Sequence, residues 1–582
     1  MEENYWIIVI TLIISLLFIL IYYIKKKETQ KEQEVVYQSA EYPTIIRNNV
    51  FQNNRISLIS QINNVEIANN SIEMFNYNSM FPGPLIEAQK GDTLLISYAN
   101  KLDETSDITF HGISQNEDDT QVIPNDSFSY KVVLNTSGLF YYHSSVKGQL
   151  SKGLFGAILV HDHLSYNEKV LVFSTIKVSK SSTLSTYNET SLYLTNGVHN
   201  GSIACHKGVP LRLRMVNCDS DEIMKISIEN HDILKIGGDQ GLNEKTLLIK
   251  DGNSLILTPG ERLDIVFVPR ANKIRILTKD VVLVTLNASE GENISLDIPI
   301  SFQTLKKIHV DSCTPVIPIE YSSNSIYSVN GIATPFSSLV EKDAPIVFEN
   351  SIYLIEITNP LQEENNFYIE NYTFQHIDTI FISTIDSNIV SDRIVNKTIE
   401  NKDTIYIPPR PGDKYSKTIV RLAIEFKGNN SSTHHAFVTR CTFQSNLLSR
   451  AEAGQKAFLL IVPLAEREKY LSSSSYINYY SSYFPESSHT TCLTKPFIQL
   501  NRSGDSNDSN RSNDSSDIYS NESDDFSHSN DSKFLSDINS ITKNLQRCIC
   551  ENGLIHKKCQ YCMNSKKAKL RKRLHNKILS AK

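Results

Sequence analysis

"LTPGERLDIVFV", Leu257–Val268, runs from a proline through a short polar turn into an apolar strand. Proline and glycine set the turn, and the β-branched and aromatic residues behind them favour extended backbone. The same order recurs in "IPNDSFSYKVVL" (123–134) and "IPPRPGDKYSKTIVRLAIEF" (407–426). From Pro124 to Pro259 is 135 residues, and from Pro259 to Pro411 is 152. Three copies at domain spacing predict three related, consecutive β domains. Between them the chain reads almost wholly as strand from about 46 to 465, with short apolar runs such as "TLLISYAN" (93–100) and "LRLRMVN" (211–217) bounded by turn residues. The fold class is therefore all-β, built of Greek-key sandwiches or barrels over 46–165, 166–305 and 306–465.

Composition agrees with that class and bounds the function. The chain has 582 residues, too many for one domain, and is 40% hydrophobic with 27 Tyr, 24 Phe and a single Trp. A net charge of −6 implies no general affinity for nucleic acid. Trp6–Ile24, "WIIVITLIISLLFILIYYI", is 19 residues without a charge. As a helix it would rise ~28 Å, enough to cross a bilayer core. No small-residue cleavage site follows, so residues 1–24 are expected to be a retained single-pass anchor and 25–45 a polar stalk. The side of the membrane stays open. Lys25, Lys26 and Lys27 after the span favour a cytosolic body. Sequons such as Asn188-Glu-Thr190, Asn200-Gly-Ser202 and Asn371-Tyr-Thr373 favour a lumenal or extracellular one.

Beyond 465 the character changes. Residues 466–546 are a low-complexity linker whose Asn-, Ser- and Asp-rich run, "NRSGDSNDSNRSNDSSDIYSNESDDFSHSNDS", is expected to be disordered. Residues 547–582 form a basic tail with Cys548, Cys550, Cys559 and Cys562 around His556. Two such pairs can hold zinc in a small knuckle. Two disulfides, or reactive or lipidated thiols, are the alternatives. "KKAKLRKRLHNK" behind it suits an acidic surface, lipid or protein, and no nucleic-acid-binding fold accompanies it, so sequence-specific recognition is not expected.

Several stretches resemble one family. "MFPGPLIEAQKGDTLLISYANKLDETSDITFHGISQ" and "GLFYYHSSVKGQLSKGLFGAILVHD" are similar to the opening domain of the multicopper oxidases, the laccase and ferroxidase family. "LTNGVHNGSIACHKGVPLRLRMVNCDSDEIMKISIENHDILKIGGDQG" with "LTPGERLDIVFVP" resembles the second domain, and "YSVNG", "IEITNP" and "FVTRCTFQSNLLSRAEAGQ" the third. The resemblance covers about 420 residues in the family's order. It implies three cupredoxin domains, one mononuclear copper, and a trinuclear copper cluster between the first and third domains. Ten histidines and one cysteine in four motifs would hold the copper. A strand directs alternate residues to one face, so His-x-His aims two imidazoles at one cluster. Imidazole and thiolate are the ligands copper prefers.

Most of those ligands are replaced. The first motif reads "TFHG", with Thr109 in one ligand position and His111 kept. The second reads "YHSS", with His143 kept and Ser145 in its partner's place. The third falls on "NNFYIENYTF", where Asn365, Tyr368 and Glu370 stand at histidine positions. The fourth, anchored on "AEAG", puts Gln444, Ser445, Asn446 and Arg450 at the positions of His, Cys, His and His. A rival register puts Cys441 on the copper cysteine but recovers no histidine. By family geometry His111 and His143 would ligate one copper, with Asn446 as third partner, a vestigial site. Two histidines, with Asn446, water or Glu370 nearby, could hold one Zn2+ or Cu2+. The competing expectation is that both are interior histidines bonded to the hydroxyls that replaced their neighbours.

Other candidates read as structural. His161 and His163 in "VHDH" are expected to face solvent, His434 and His435 to point apart, and His231 to hold a hairpin. Cys205 and Cys218 could pair in an oxidising compartment. The whole reads as a membrane-anchored relative of the multicopper oxidases that has lost copper catalysis and serves as a binding or assembly scaffold. On that reading no cofactor is expected, save copper if an ancestral site persists and zinc in the tail; the partners are the membrane and an unknown protein or acidic surface. The alternative is an oxidoreductase that couples copper-dependent oxidation to dioxygen reduction, or a single-metal protein using His111 and His143.

Overall fold

Alternation and turn chemistry produce strands throughout. The computed structural model describes residues 38–47, 55–114, 120–180, 188–294, 302, 304–312, 314–322, 328–329, 346–385, 388–412, 415–427, 439–444, 447, 456–463 and 466. No α-helix occurs among the described residues. The expected anchor Trp6–Ile24, nearly all of the linker and the cysteine tail with Cys548, Cys550, Cys559 and Cys562 lie outside them, as do Ser445, Asn446, Arg450, His434 and His435.

Six sheets form three successive pairs, the all-β cupredoxin-like architecture expected from the repeat. In the first pair, a four-stranded sheet runs Asn70–Tyr77, Arg55–Ile67, Thr93–Asn100, Ser127–Val133. Its partner runs Ile45–Arg47, Gly83–Gln89, Phe155–His161, Gly138–His143, Thr109–His111. In the second pair, a seven-stranded sheet runs Val198–His199, Asn188–Thr195, Asn167–Lys180, Leu211–Asn217, Arg262–Phe267, Ile233–Gly238, Gly241–Ile249. Facing it are Gly201–His206, Val281–Ser289, Lys273–Thr278, Met224–Ile228 and Leu255–Leu257. In the third, Ser328–Val329, Val316–Ser322, Ser351–Asn359, Lys417–Phe426, Phe374–Ile385 and Asn388–Val395 oppose Ile346–Phe348, Lys456–Val462, Thr439–Gln444, Asn365–Ile369 and Thr404–Ile407. Each pair encloses its own apolar core, around Tyr98 and Phe140, around Leu213 and Phe267, and around Ile357 and Leu422.

The repeat in sequence is a repeat in hydrogen bonding. Asn100, Asn217 and Asn359 each end a strand and are fully buried. Each amide nitrogen Nδ2 donates to two carbonyls: Glu104 and Val122 (both 2.8 Å), Glu222 and Leu257 (2.8 and 2.9 Å), Glu363 and Pro408 (3.1 and 3.0 Å). Each Oδ1 accepts from the N–H two residues on, at Leu102, Asp219 and Leu361. The second carbonyl of each set lies at the proline turn that begins the repeat. One side chain thus closes the same corner in all three units, where an unpartnered backbone group would be costly.

The first two units meet through an apolar cluster in which Leu139, Tyr141, Phe155 and Leu159 pack with Val170, Val172, Val216 and Cys218. Cys218 and Cys205 are both buried and free, and they sit in different clusters, so the possible pairing is corrected. Burial pushes the Cys205 thiol up to about 11 and that of Cys218 well above its ordinary value, which makes both inert.

Candidate functional site

Thr109–His111 and Gly138–His143 run antiparallel, with Thr109 opposite His143 and His111 opposite Tyr141. Alternation sends Phe110, Phe140 and Tyr142 into the first core. The opposite face carries Thr109, His111, Tyr141 and His143. There the three rings gather, His111 4.6 Å from Tyr141, Tyr141 4.9 Å from His143, and His111 6.0 Å from His143. The third unit adds Tyr368 from Asn365–Ile369, stacked on His111 at 4.1 Å and 23°. Tyr368 pairs in turn with Gln444 across the sheet. The first three motifs and the start of the fourth are therefore brought together as the resemblance implies, but with tyrosine rings in the space.

Both nitrogens of His111 are used. The Thr404 hydroxyl donates to Asp403 Oδ1 at 2.8 Å, so it offers His111 a lone pair. His111 Nε2–H donates to it at 3.2 Å, and the Tyr141 hydroxyl then donates to Nδ1 at 3.1 Å. Burial lowers the pKa of His111, against the pull of the nearby Asp403, so the imidazole is neutral. The expected hydroxyl partner of His111, Thr109, is not the one it takes. His143 differs again. Its Nδ1–H donates to the Ser144 carbonyl at 2.9 Å, and Nε2 is buried with no hydrogen-bond partner among the described residues. Burial first, and His111 second, bring its pKa down to about 4. Ser145 does not serve it. The Ser145 hydroxyl and N–H (2.7 Å) and the Ser144 hydroxyl (2.8 Å) all donate to the buried carboxylate of Asp107.

A network of buried charge lies behind His111, and sequence reasoning did not foresee it. Arg262, wholly buried, forks onto Asp403 at 2.7 and 2.5 Å and donates to the carbonyls of Gly260, Asp239 and Leu139. Lys402 lies 2.9 Å from Glu261 and 3.1 Å from Asp239, and Lys235 2.7 Å from Glu400. Burial alone would raise the Asp403 carboxyl, but the Arg262 guanidinium, with His111 3.6 Å away, holds it well below the usual range. Burial also raises Glu261, assisted by Asp239 and opposed by Lys402. Gly112 makes the approach possible. Its φ is +84°, and a Cβ there would overlap Arg262 and come within 2.8 Å of Asp403. A cavity of about 160 Å³ opens beside Asp403, between Gly112, Phe140, Gln240, Ile369 and Tyr372. The signal for this network was charged residues inside strongly apolar runs, Arg262 in "GERLDIVF" and Asp403 in "NKDTIYI".

The remaining candidates are quickly placed. His231 donates from Nδ1 to the Glu229 carbonyl at 2.6 Å and accepts the Arg270 N–H at 3.0 Å, a hairpin role. His163 is exposed, whereas His161 is partly buried and lies 3.3 Å from Glu168. Glu370 is partly buried near the junction. The described residues at this junction do not fit a copper cluster: His111 has no free lone pair, Thr109 and Tyr368 are poor donors, and of the two histidines only His143 presents an unused nitrogen.

Residues 60–165 match the sequence profile of a family described as multicopper oxidase. The chain is 27% identical over 207 residues to Laccase-1 of Cryptococcus neoformans, covering 27% of this chain and 33% of that protein. It is 28% identical over 251 residues to Laccase-3 of Thanatephorus cucumeris, covering 35% and 43%. The matched stretches thus span less than half the length of these relatives. Among solved structures, the multicopper oxidase McoA of Aquifex aeolicus superposes with a TM-score of 0.61 at 18% identity, over 74% of this chain and all of that one.

Proposed function

From the premise that the chain belongs to the multicopper oxidase family, we propose that its cupredoxin body works without copper catalysis, as a binding or assembly scaffold that Trp6–Ile24 carries at a membrane. One observation carries the reading. The two nitrogens of His111 are spent inside the protein while the ring of Tyr368 stacks on its face, where a histidine would have to reach a metal. Oxidation of a substrate with reduction of dioxygen needs an electron-entry copper and a cluster that receives the electrons. Ser445 at the position of the copper thiolate and Arg450 at that of a ligand histidine argue against the first, and Thr109, Tyr368 and the engaged His111 against the second.

The test is metal content and turnover of the purified full chain. The expected result is substoichiometric copper, no absorption of the thiolate-to-copper type, and no dioxygen consumption after copper loading. Stoichiometric copper with dioxygen consumption would overturn the proposal and restore the oxidase reading.

A second reading rests on a different observation. His143 holds its Nδ1–H on a backbone carbonyl and leaves Nε2 unpartnered, the arrangement in which a neutral imidazole ligates a metal. A single Zn2+ or Cu2+ bound by the wild type and lost on His143→Ala would favour this single-metal protein; equal metal content in both would discard it.

A further inference from the structure

We propose that Thr398–Thr404 of the third unit is an ionic latch, which fastens that unit to the second by buried charge and to the first through His111 and Gln240, and makes their assembly independent of any metal. The segment bends at Thr398 and again at Asp403, and Thr398, Glu400, Lys402, Asp403 and Thr404 are all buried. Each meets another unit. Lys245 N–H donates to the Thr398 hydroxyl at 3.1 Å, and Glu244 N–H to the Ile399 carbonyl at 3.0 Å. Glu400 takes Lys235, Lys402 takes Glu261 and Asp239, and Asp403 takes Arg262. Thr404 N–H donates to Asp239 Oδ2 at 3.2 Å and its hydroxyl meets His111 of the first unit. Gln240 Nε2 donates both to the Gly112 carbonyl (2.7 Å) and to Asp403 (2.8 Å), so all three units join at one carboxylate.

Every charge in this cluster is paired within the protein. Arg262, Lys402 and Lys235 face Asp239, Asp403, Glu261 and Glu400, and each carboxylate has a cation beside it. Burying charge is costly unless each member is paired, and removing one partner leaves the other stranded. The latch is therefore set when the three units dock and fails when one member is lost. It holds whether or not His143 takes a metal.

Hydrogen exchange of the full chain, read by mass spectrometry, tests it. Asp403→Asn is expected to raise exchange by about tenfold or more in peptides covering 398–404, 233–241 and 258–264, while the strands of the three cores keep their protection. A change confined to 402–404, or spread evenly over all three units, overturns the proposal. Because Asp403→Asn could fail to fold, the pair Lys235 and Glu400 supplies a second arm. Glu400→Leu is expected to lower the unfolding midpoint, and Lys235→Met/Glu400→Leu to recover most of that loss. A double variant as damaged as the single one overturns the latch. Chelator treatment of the wild type should leave the exchange pattern unchanged; loosening of the 398–404 peptides by chelator would show a metal-dependent junction and sink the proposal.

Discussion

At the scale of single residues, the part a side chain plays beside His111 and His143 depends on what its neighbours need. Ser145 stands where an imidazole is expected, and it has become a donor to the buried Asp107 carboxylate instead. Tyr141 has a similar double use: its ring lies between two histidines, and its hydroxyl saturates His111. Tyr141→Phe removes the only donor that the described residues give His111 Nδ1, leaving a buried acceptor unpaired. The expected cost is about 1–3 kcal/mol, read as a lower midpoint in urea unfolding. An unchanged midpoint would mean that His111 finds another donor and that its lone pair is not fixed by Tyr141. That His111, Tyr141 and His143 share one face was legible in the sequence, because alternation along a strand is local. The partners of His111 were not, since Thr404 is 293 residues away and no local pattern announces it.

At the scale of elements, three corners closed by Asn100, Asn217 and Asn359 explain why one pattern of proline, turn and strand could be read three times. The turn residues and the period-two alternation act over a few positions, so the strands around them followed from sequence. The role of the asparagines did not, because each reaches a carbonyl brought in by the fold: Val122, Leu257 or Pro408. Asn217→Ala strips two carbonyls and one N–H of their partner inside a buried corner, and a loss of about 3 kcal/mol is expected. Asn100→Ala and Asn359→Ala should behave alike. If the three variants differed widely, or the loss at Asn217 were a few tenths, the corners would not be equivalent supports. Gly156 supplies a second check at this scale. It is flush with the Tyr142 ring, and an added Cβ there would overlap it, so Gly156→Ala should destabilise the first unit by about 1–3 kcal/mol.

At the scale of the molecule, the buried titratable groups set how stability responds to acid. His143, with a pKa brought down to about 4 by burial and by His111, resists protonation in the folded state. The unfolded chain takes up that proton near the ordinary value of ~6.5. Stability is therefore full above that value and declines as pH falls toward 4; His111 and His376, both lowered by burial, act in the same direction. His161 opposes them. Its hydrogen bond to Glu168 raises its pKa, so its contribution is present at low pH and lost as pH rises through the folded value. At the join of the first two units, burial would raise Asp162 and Glu168. Arg212 and Arg214 for the first, and His161 and Arg214 for the second, instead hold both down to about 2. Their stabilisation exists above the ordinary carboxyl range and disappears as pH falls from ~4 to 2. Two declines are thus expected in the urea midpoint between neutral pH and 2, separated near pH ~4. His143→Gln should flatten the upper decline and leave the lower one, because the Arg212 and Arg214 cluster contains no part of the histidine stack. If His143→Gln left the slope between pH ~7 and ~4.5 unchanged, burial would not be holding the His143 imidazole neutral in the folded protein.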